Sequence, residues 1–124
     1  MNKERVTYKV FPENRVVVAE IHGCRLDALH VVNDIINNTT SSIGVTANRL
    51  DERFIMDNYL KATARCHPED EFDIEVGKKI ALKKLTEAYH RSLNKHVANY
   101  MKYLVTITDN INSFLAKKHY KDGE

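Results

Sequence analysis

The sequence predicts an α+β fold in which a small N-terminal antiparallel sheet with one short helix is followed by a long C-terminal helix or helical hairpin. Alternating and β-branched residues dominate the first half, whereas from Val76 onward apolar residues recur at helical spacing almost to the end. The length of 124 residues is that of one domain. We therefore expect a single α+β domain over residues 1–124, with a sheet part over about residues 1–67 and a helical part over about 72–118.

The first half is predicted to begin with a β-hairpin. Residues 6–11 alternate in the manner of a half-buried strand, residues 12–14 supply turn chemistry, and residues 15–21 form a β-branched second run. Gly23 breaks this second strand. Apolar residues then fall at helical spacing and predict a short helix over about residues 25–37.

Two further strands are predicted before the helical part. Residues 39–44 are polar and favour a loop, and residues 54–56 and 59–66 are typical of strands. The sheet would then hold about four strands. Pro68 cannot lie inside a central strand, so the last strand should end just before it.

Asp73 is predicted to cap the N-terminus of the long helix, and the acidic residues around it complement the helix dipole. The apolar residues of this helix form one set up to Tyr89 and then a heptad seam of Leu93, Val97, Tyr100, Leu104, Ile107, Ile111 and Phe114. The two sets meet through a stutter, which predicts either one locally unwound helix or a turn near residues 91–95. An unbroken helix predicts self-association, and a purely intramolecular seam remains the alternative.

Composition limits the function classes. The net charge of +2, from 19 basic and 17 acidic residues, is too balanced for an acidic mimic of DNA or a general nucleic-acid binder. No apolar run is long enough to span a bilayer, and no apolar leader follows Met1, so we expect a cytoplasmic protein. Two cysteines are too few for a disulfide framework.

The motifs that accompany the common enzyme classes are missing. The sequence has no Gly-rich phosphate loop, no G-x-S-x-G elbow and no H-E-x-x-H helix. His22, Cys24, Cys66 and His67 could offer four zinc ligands, but neither pair has the spacing of a structural zinc site. We expect a binding protein without catalytic residues, metal or cofactor.

The charge on the long helix indicates an anionic ligand. Lys84, Arg91, Lys95 and Lys102 follow one another at steps of seven, four and seven residues and therefore share one face. Amide, imidazole and phenol side chains interleave with them and supply directional hydrogen bonds and stacking surfaces. An ordinary solvated helix surface is the alternative. The candidate ligand-binding residues, including Arg25 at a helix start, are Arg25, Arg65, Lys84, Tyr89, His90, Arg91, Asn94, Lys95 and Asn99.

Residues 62–85, which read ATARCHPEDEFDIEVGKKIALKKL, resemble a segment of small phage and prophage proteins, most strongly over residues 66–73 and 77–81. On this fifth of the chain, the protein is similar to the first type of Thoeris anti-defence protein. The resemblance implies a non-enzymatic sponge that sequesters cyclic ADP-ribose isomers made by TIR-domain immune enzymes in an infected bacterium. It also implies an assembly with pockets between subunits, built by the heptad helix and lined by its basic face, with Arg25 and residues 53–65 contributing.

Two other functions remain open at this stage. A phage inhibitor of the anti-CRISPR kind would bind a host defence protein directly, through the acidic turn or a helix face. A nucleic-acid-binding module is the third reading, and the nearly neutral chain favours it least.

Overall fold

A computed structural model describes residues 1–39 and 56–122, with side chains for residues 1–38 and 56–117. Two short 3₁₀ turns, Lys3–Arg5 and Pro12–Asn14, accompany the main elements. In chain order, these elements are β1 (Thr7–Phe11), β2 (Val16–His22), α1 (Cys24–Thr39), β3 (Tyr59–Arg65) and α2 (Ile74–Asp122). The predicted α+β class is confirmed.

The three described strands form one antiparallel sheet with β2 in the centre. Val17 lies opposite Val10 of β1 and Ala64 of β3, so the predicted hairpin and the strand before Pro68 are both present. Arg15 closes the hairpin turn in the left-handed region, with φ of 56°. The predicted loop at 39–44 and the first two residues of the predicted strand at 54–56 lie outside the described residues, apart from the backbone of Thr39.

The core lies between one face of the sheet and the two helices. Val17, Ala19 and Ile21 point to this face from β2 and are completely buried. They alternate with residues on the opposite face because successive strand residues point to opposite sides. The described helix residues that are also completely buried are Cys24, Ala28, Val32, Ala81 and Leu85.

The long helix α2 runs without interruption over 49 residues. Asp73 caps it as predicted, because its Oδ1 accepts hydrogen bonds from the backbone N–H groups of Glu75 at 2.9 Å and Val76 at 3.3 Å. The alternative of a helical hairpin is wrong. Leu93 lies in the middle of the turn that was the alternative, and in the structure it is buried within a continuous helix. The stutter therefore does not reverse the direction of the chain.

Gly77 allows α2 to approach the sheet closely. A Cβ atom at this position would lie 2.6 Å from Cγ2 of Val17, well inside van der Waals contact. The absence of a side chain at residue 77 therefore sets how near the first turns of α2 come to β2.

Tyr100 is the last buried residue of the described helix, and beyond it Met101, Tyr103 and Leu104 pack only partly buried against the core. At a rise of 1.5 Å per residue the helix is about 73 Å long, whereas seven residues of β2 span about 23 Å. Between residues 101 and 117 no side chain is fully buried, and Val105, Ile111 and Phe114 are more than half exposed. In the part of the chain that the structure describes, no helix combines the length and apolar character needed to cross a bilayer.

Candidate functional site

The basic face predicted on α2 is present and accessible. Lys84, Arg91, Lys95 and Lys102, hereafter the basic row, are all exposed and lie on one side of the helix. The Nζ atom of Lys84 donates to the backbone carbonyl of Thr63 at 3.2 Å, which places this end of the row beside β3. None of the described ion pairs involves Arg91, Lys95 or Lys102. Their charge is therefore available to a ligand.

Three polar residues border the basic row. His90, Asn94 and Asn99 are exposed, and the ring of His90 lies edge-on to that of Tyr89 with centroids 5.3 Å apart. Arg91 and Lys95 are separated by one helical turn, so their Cβ atoms lie about 5–6 Å apart. These five residues place exposed hydrogen-bond donors along ten residues of the helix.

Tyr89 does not belong to this exposed surface. Only 5% of it is exposed, and its hydroxyl donates to Oδ2 of Asp27 in α1 at 2.7 Å. Burial, followed by this hydrogen bond and the nearby Asp27 charge, raises the pKa of the Tyr89 hydroxyl above its usual value. The helix packs through Leu85, Tyr89 and Leu93, so Tyr89 is a core residue rather than a stacking surface for a ligand.

Arg25 lies at the start of α1, and its described hydrogen bonds do not involve the residues of the basic row. Its backbone N–H donates to Oδ1 of Asn58 at 3.2 Å, and its Nε donates to the carbonyl of Met56 at 3.0 Å. Asn58 thus occupies the N-terminus of α1 that was expected to meet an anion, and Arg25 holds the segment that leads into β3.

A groove that the sequence did not predict lies where β3 connects to α2. It has a volume of about 870 Å³ and is bordered by the end of β3, by the turn after it and by the first turns of α2. Arg65, the remaining predicted ligand residue, lies at its edge. The exposed apolar residues in its lining are Ile74, Val76 and Ile80, and the acidic ones are Asp70, Glu71, Asp73 and Glu75. The three apolar residues lie on α2 at positions that do not pack in the core. This placement is the sequence signal that could have indicated the groove.

Arg15 holds the turn that forms one wall of this junction groove. Its Nη2 atom donates to the carbonyls of His67, at 3.3 Å, and Asp70, and lies 3.4 Å from Sγ of Cys66. The backbone N–H of Cys66 donates to the carbonyl of Arg15 at 2.9 Å. Residues 66–73 therefore form the structural connection between the sheet and the long helix.

Among the described residues, no three His, Cys, Asp or Glu side chains lie close enough to share a metal ion. Both cysteines are free thiols, Cys24 in the core and Cys66 half-buried. Comparisons of the chain with protein-family models, with curated proteins and with solved structures found no match. Inference of function therefore depends on the surfaces described above.

Proposed function

We propose that this protein is a non-enzymatic sponge that binds and sequesters a nucleotide-like anion, and that the ligand is a cyclic ADP-ribose isomer. The observation that carries the proposal is the basic row on α2, with its exposed, unpaired cations and bordering amide and imidazole groups. Following the resemblance, the protein is phage-encoded and acts in the cytoplasm of the infected bacterium, where it keeps an immune signal from its receptor.

The chemistry of the basic row suits a pyrophosphate. A guanidinium binds phosphate oxygens in a bidentate manner, and an ammonium adds a compact positive charge. Arg91 and Lys95 are spaced by one turn, which is comparable to the size of a pyrophosphate group. Asn94 and Asn99 add directional donors that select among anions of equal charge.

A tight pocket on this surface needs a second wall, because the face of a single helix is convex. We propose that a second copy of the chain supplies it and that the protein is a homo-oligomer. Residues 101–117 of α2, the protruding segment, continue the heptad seam with exposed Ile111 and Phe114, and Val105 and Leu115 are also exposed there. Only three of these 17 residues are charged, so repulsion between copies opposes the association little.

The junction groove favours one alternative function, direct binding to a host defence protein. Exposed Ile74, Val76 and Ile80 beside four carboxylates fit an apolar segment that carries positive charge. Binding of a protein in this groove would not change when nucleotides are added.

The proposal is tested by thermal unfolding with ADP-ribose, cyclic ADP-ribose isomers, and cyclic di- and trinucleotides. Saturation of a tight site at one hundred times Kd adds about 2.7 kcal/mol to the free energy of unfolding, which raises Tm by several degrees or more. We expect this rise with a cyclic ADP-ribose isomer and recovery of the ligand unchanged after incubation. No rise with any nucleotide would contradict the proposal.

A double variant, Arg91→Ala with Lys95→Ala, should abolish the rise in Tm because both phosphate-binding cations are removed. Lys83→Ala is a matched control, since Lys83 is an exposed cation of the same helix outside the basic row. An equal loss of binding in this control would indicate a general charge effect rather than a site.

A further inference from the structure

The face of the sheet that points away from the core carries two aromatic rings in tilted contact. His22 and Tyr59 lie opposite each other in the register of β2 and β3. Their ring centroids are 4.7 Å apart, with an interplanar angle of 39°. Both side chains are exposed, Tyr59 to 38%. We call these two residues the ring pair.

The ring pair is positioned by the pairing of β2 with β3. Glu20, two residues before His22 on the same face of β2, is buried and forms an ion pair with Lys9 at 3.2 Å. Because His22 and Tyr59 are opposite each other in the strand register, their rings are in contact before any ligand binds, which lowers the entropy lost on binding.

An unpaired cation lies beside the ring pair. Lys61 projects from the same face of β3 as Tyr59, two residues and about 7 Å further along the strand. It is exposed, and no described carboxylate pairs with it. An aromatic surface and an ammonium at this spacing match a nucleobase and the phosphate attached to its sugar.

We propose that the ring pair of His22 and Tyr59 is a nucleobase-stacking site and that Lys61 contacts the phosphate of the same nucleotide. The inference rests on the proposed function in taking a nucleotide-type ligand, but it uses the sheet rather than α2. A base with its phosphate occurs both in free nucleotides and in single-stranded nucleic acid. Stacking accepts every base because every base has a π-face.

Isothermal titration calorimetry with AMP, ADP-ribose and a ten-nucleotide oligoadenylate tests the site. Tyr59→Leu keeps an apolar side chain but removes the aromatic face, so affinity should fall roughly 5- to 150-fold. Tyr59→Phe keeps the ring and should stay within about threefold of the wild type. His22→Leu provides a second removal of a ring, and Lys61→Gln should reduce the dependence of affinity on salt.

The outcomes separate this site from the basic row. If wild-type protein binds none of these probes, the stacking site fails, whereas the sponge is decided separately by thermal unfolding with the cyclic ADP-ribose isomers. If the wild-type protein binds, and Arg91→Ala with Lys95→Ala weakens binding while folded Tyr59→Leu and His22→Leu bind as the wild type does, only the stacking site is overturned. Tighter, salt-dependent binding of the oligoadenylate identifies nucleic acid as the source of the base, and equal affinity for AMP identifies a free nucleotide.

Discussion

The two halves of α2 both carry apolar residues at helical spacing but differ in burial. Over residues 74–100 these residues pack against the sheet and α1, and Leu85 is completely buried. Over residues 101–117, the protruding segment, Val105, Ile111 and Leu115 are exposed, and Phe114 retains 65% of its accessible surface. Apolar periodicity therefore identifies a surface that can be buried, whereas the length of the facing sheet decides how much of it one chain buries.

The largest expected effect is in the first half. Leu85→Ala removes a completely buried side chain and should lower the free energy of unfolding by about 2–5 kcal/mol, measured by urea denaturation. Ile111→Ala is the matched control, and in dilute solution it should change this free energy by less than about 0.5 kcal/mol. Equal losses in the two variants would show that the halves are buried alike.

A second prediction concerns the close approach of α2 to β2. Gly77→Ala improves helix propensity by about 1 kcal/mol, but it places a Cβ 2.6 Å from Val17 Cγ2, and overpacking costs about 1–3 kcal/mol. We expect net destabilisation in thermal melts. Val17→Ala in the same chain should relieve the clash, so the double variant should be more stable than the sum of the two single effects predicts. Strict additivity would contradict a direct contact.

A third prediction separates Tyr89 from the exposed basic row. Tyr89→Phe should reduce the free energy of unfolding by about 1 kcal/mol at pH 7, because Asp27 loses a hydrogen-bond donor. The pKa of the Tyr89 hydroxyl is raised above 10 in the folded protein, so its contribution to stability is complete below pH 10 and is lost as pH rises further. The variant should lose less stability than the wild type between pH 9 and 11. Ligand binding at pH 7 should be unchanged if Tyr89 acts only in the core.

The smallest effect on the monomer is expected in the protruding segment. Phe114→Asp should leave the free energy of unfolding in dilute solution within about 0.5 kcal/mol of the wild type, because this side chain is exposed. It should nevertheless weaken self-association tenfold or more in sedimentation equilibrium, since a charge would enter the proposed apolar interface. A wild-type protein that remains monomeric at high concentration would refute the proposed oligomer.

Sequence reasoning was most successful where the determining interactions are local. The hairpin follows from alternation on both sides of a Pro12–Asn14 turn, and the start of α2 follows from the carboxylate of Asp73. The basic row was predictable because four cations at steps of seven, four and seven must share a helix face. The continuity of α2 was left undecided, since the stutter alone does not distinguish unwinding from a turn.

The candidate site was only partly predictable. Tyr89 was placed among the ligand residues because it lies near the cations in the sequence, but its hydroxyl is bound by Asp27, 62 positions away. Arg25 is predicted to meet an anion at the start of α1, and in the structure its backbone N–H donates to Asn58 and its Nε donates to Met56. The junction groove depends on Arg15 reaching the turn at His67 and Asp70, a contact with no local signature.

By itself, the sequence determined the α+β class, the order of the described elements, the cap of α2 and the line of cations along it, because each depends on periodicity or on neighbours within one helical turn or hairpin. Only the tertiary structure decided that Gly77 sets the approach of α2, that Tyr89 is buried, that the ring of His22 contacts that of Tyr59 and that the described heptad seam has no buried residue after Tyr100. Each of these depends on which residues distant in the chain meet across the sheet, and the seam becomes exposed because a helix of about 73 Å cannot be covered by strands of about 23 Å.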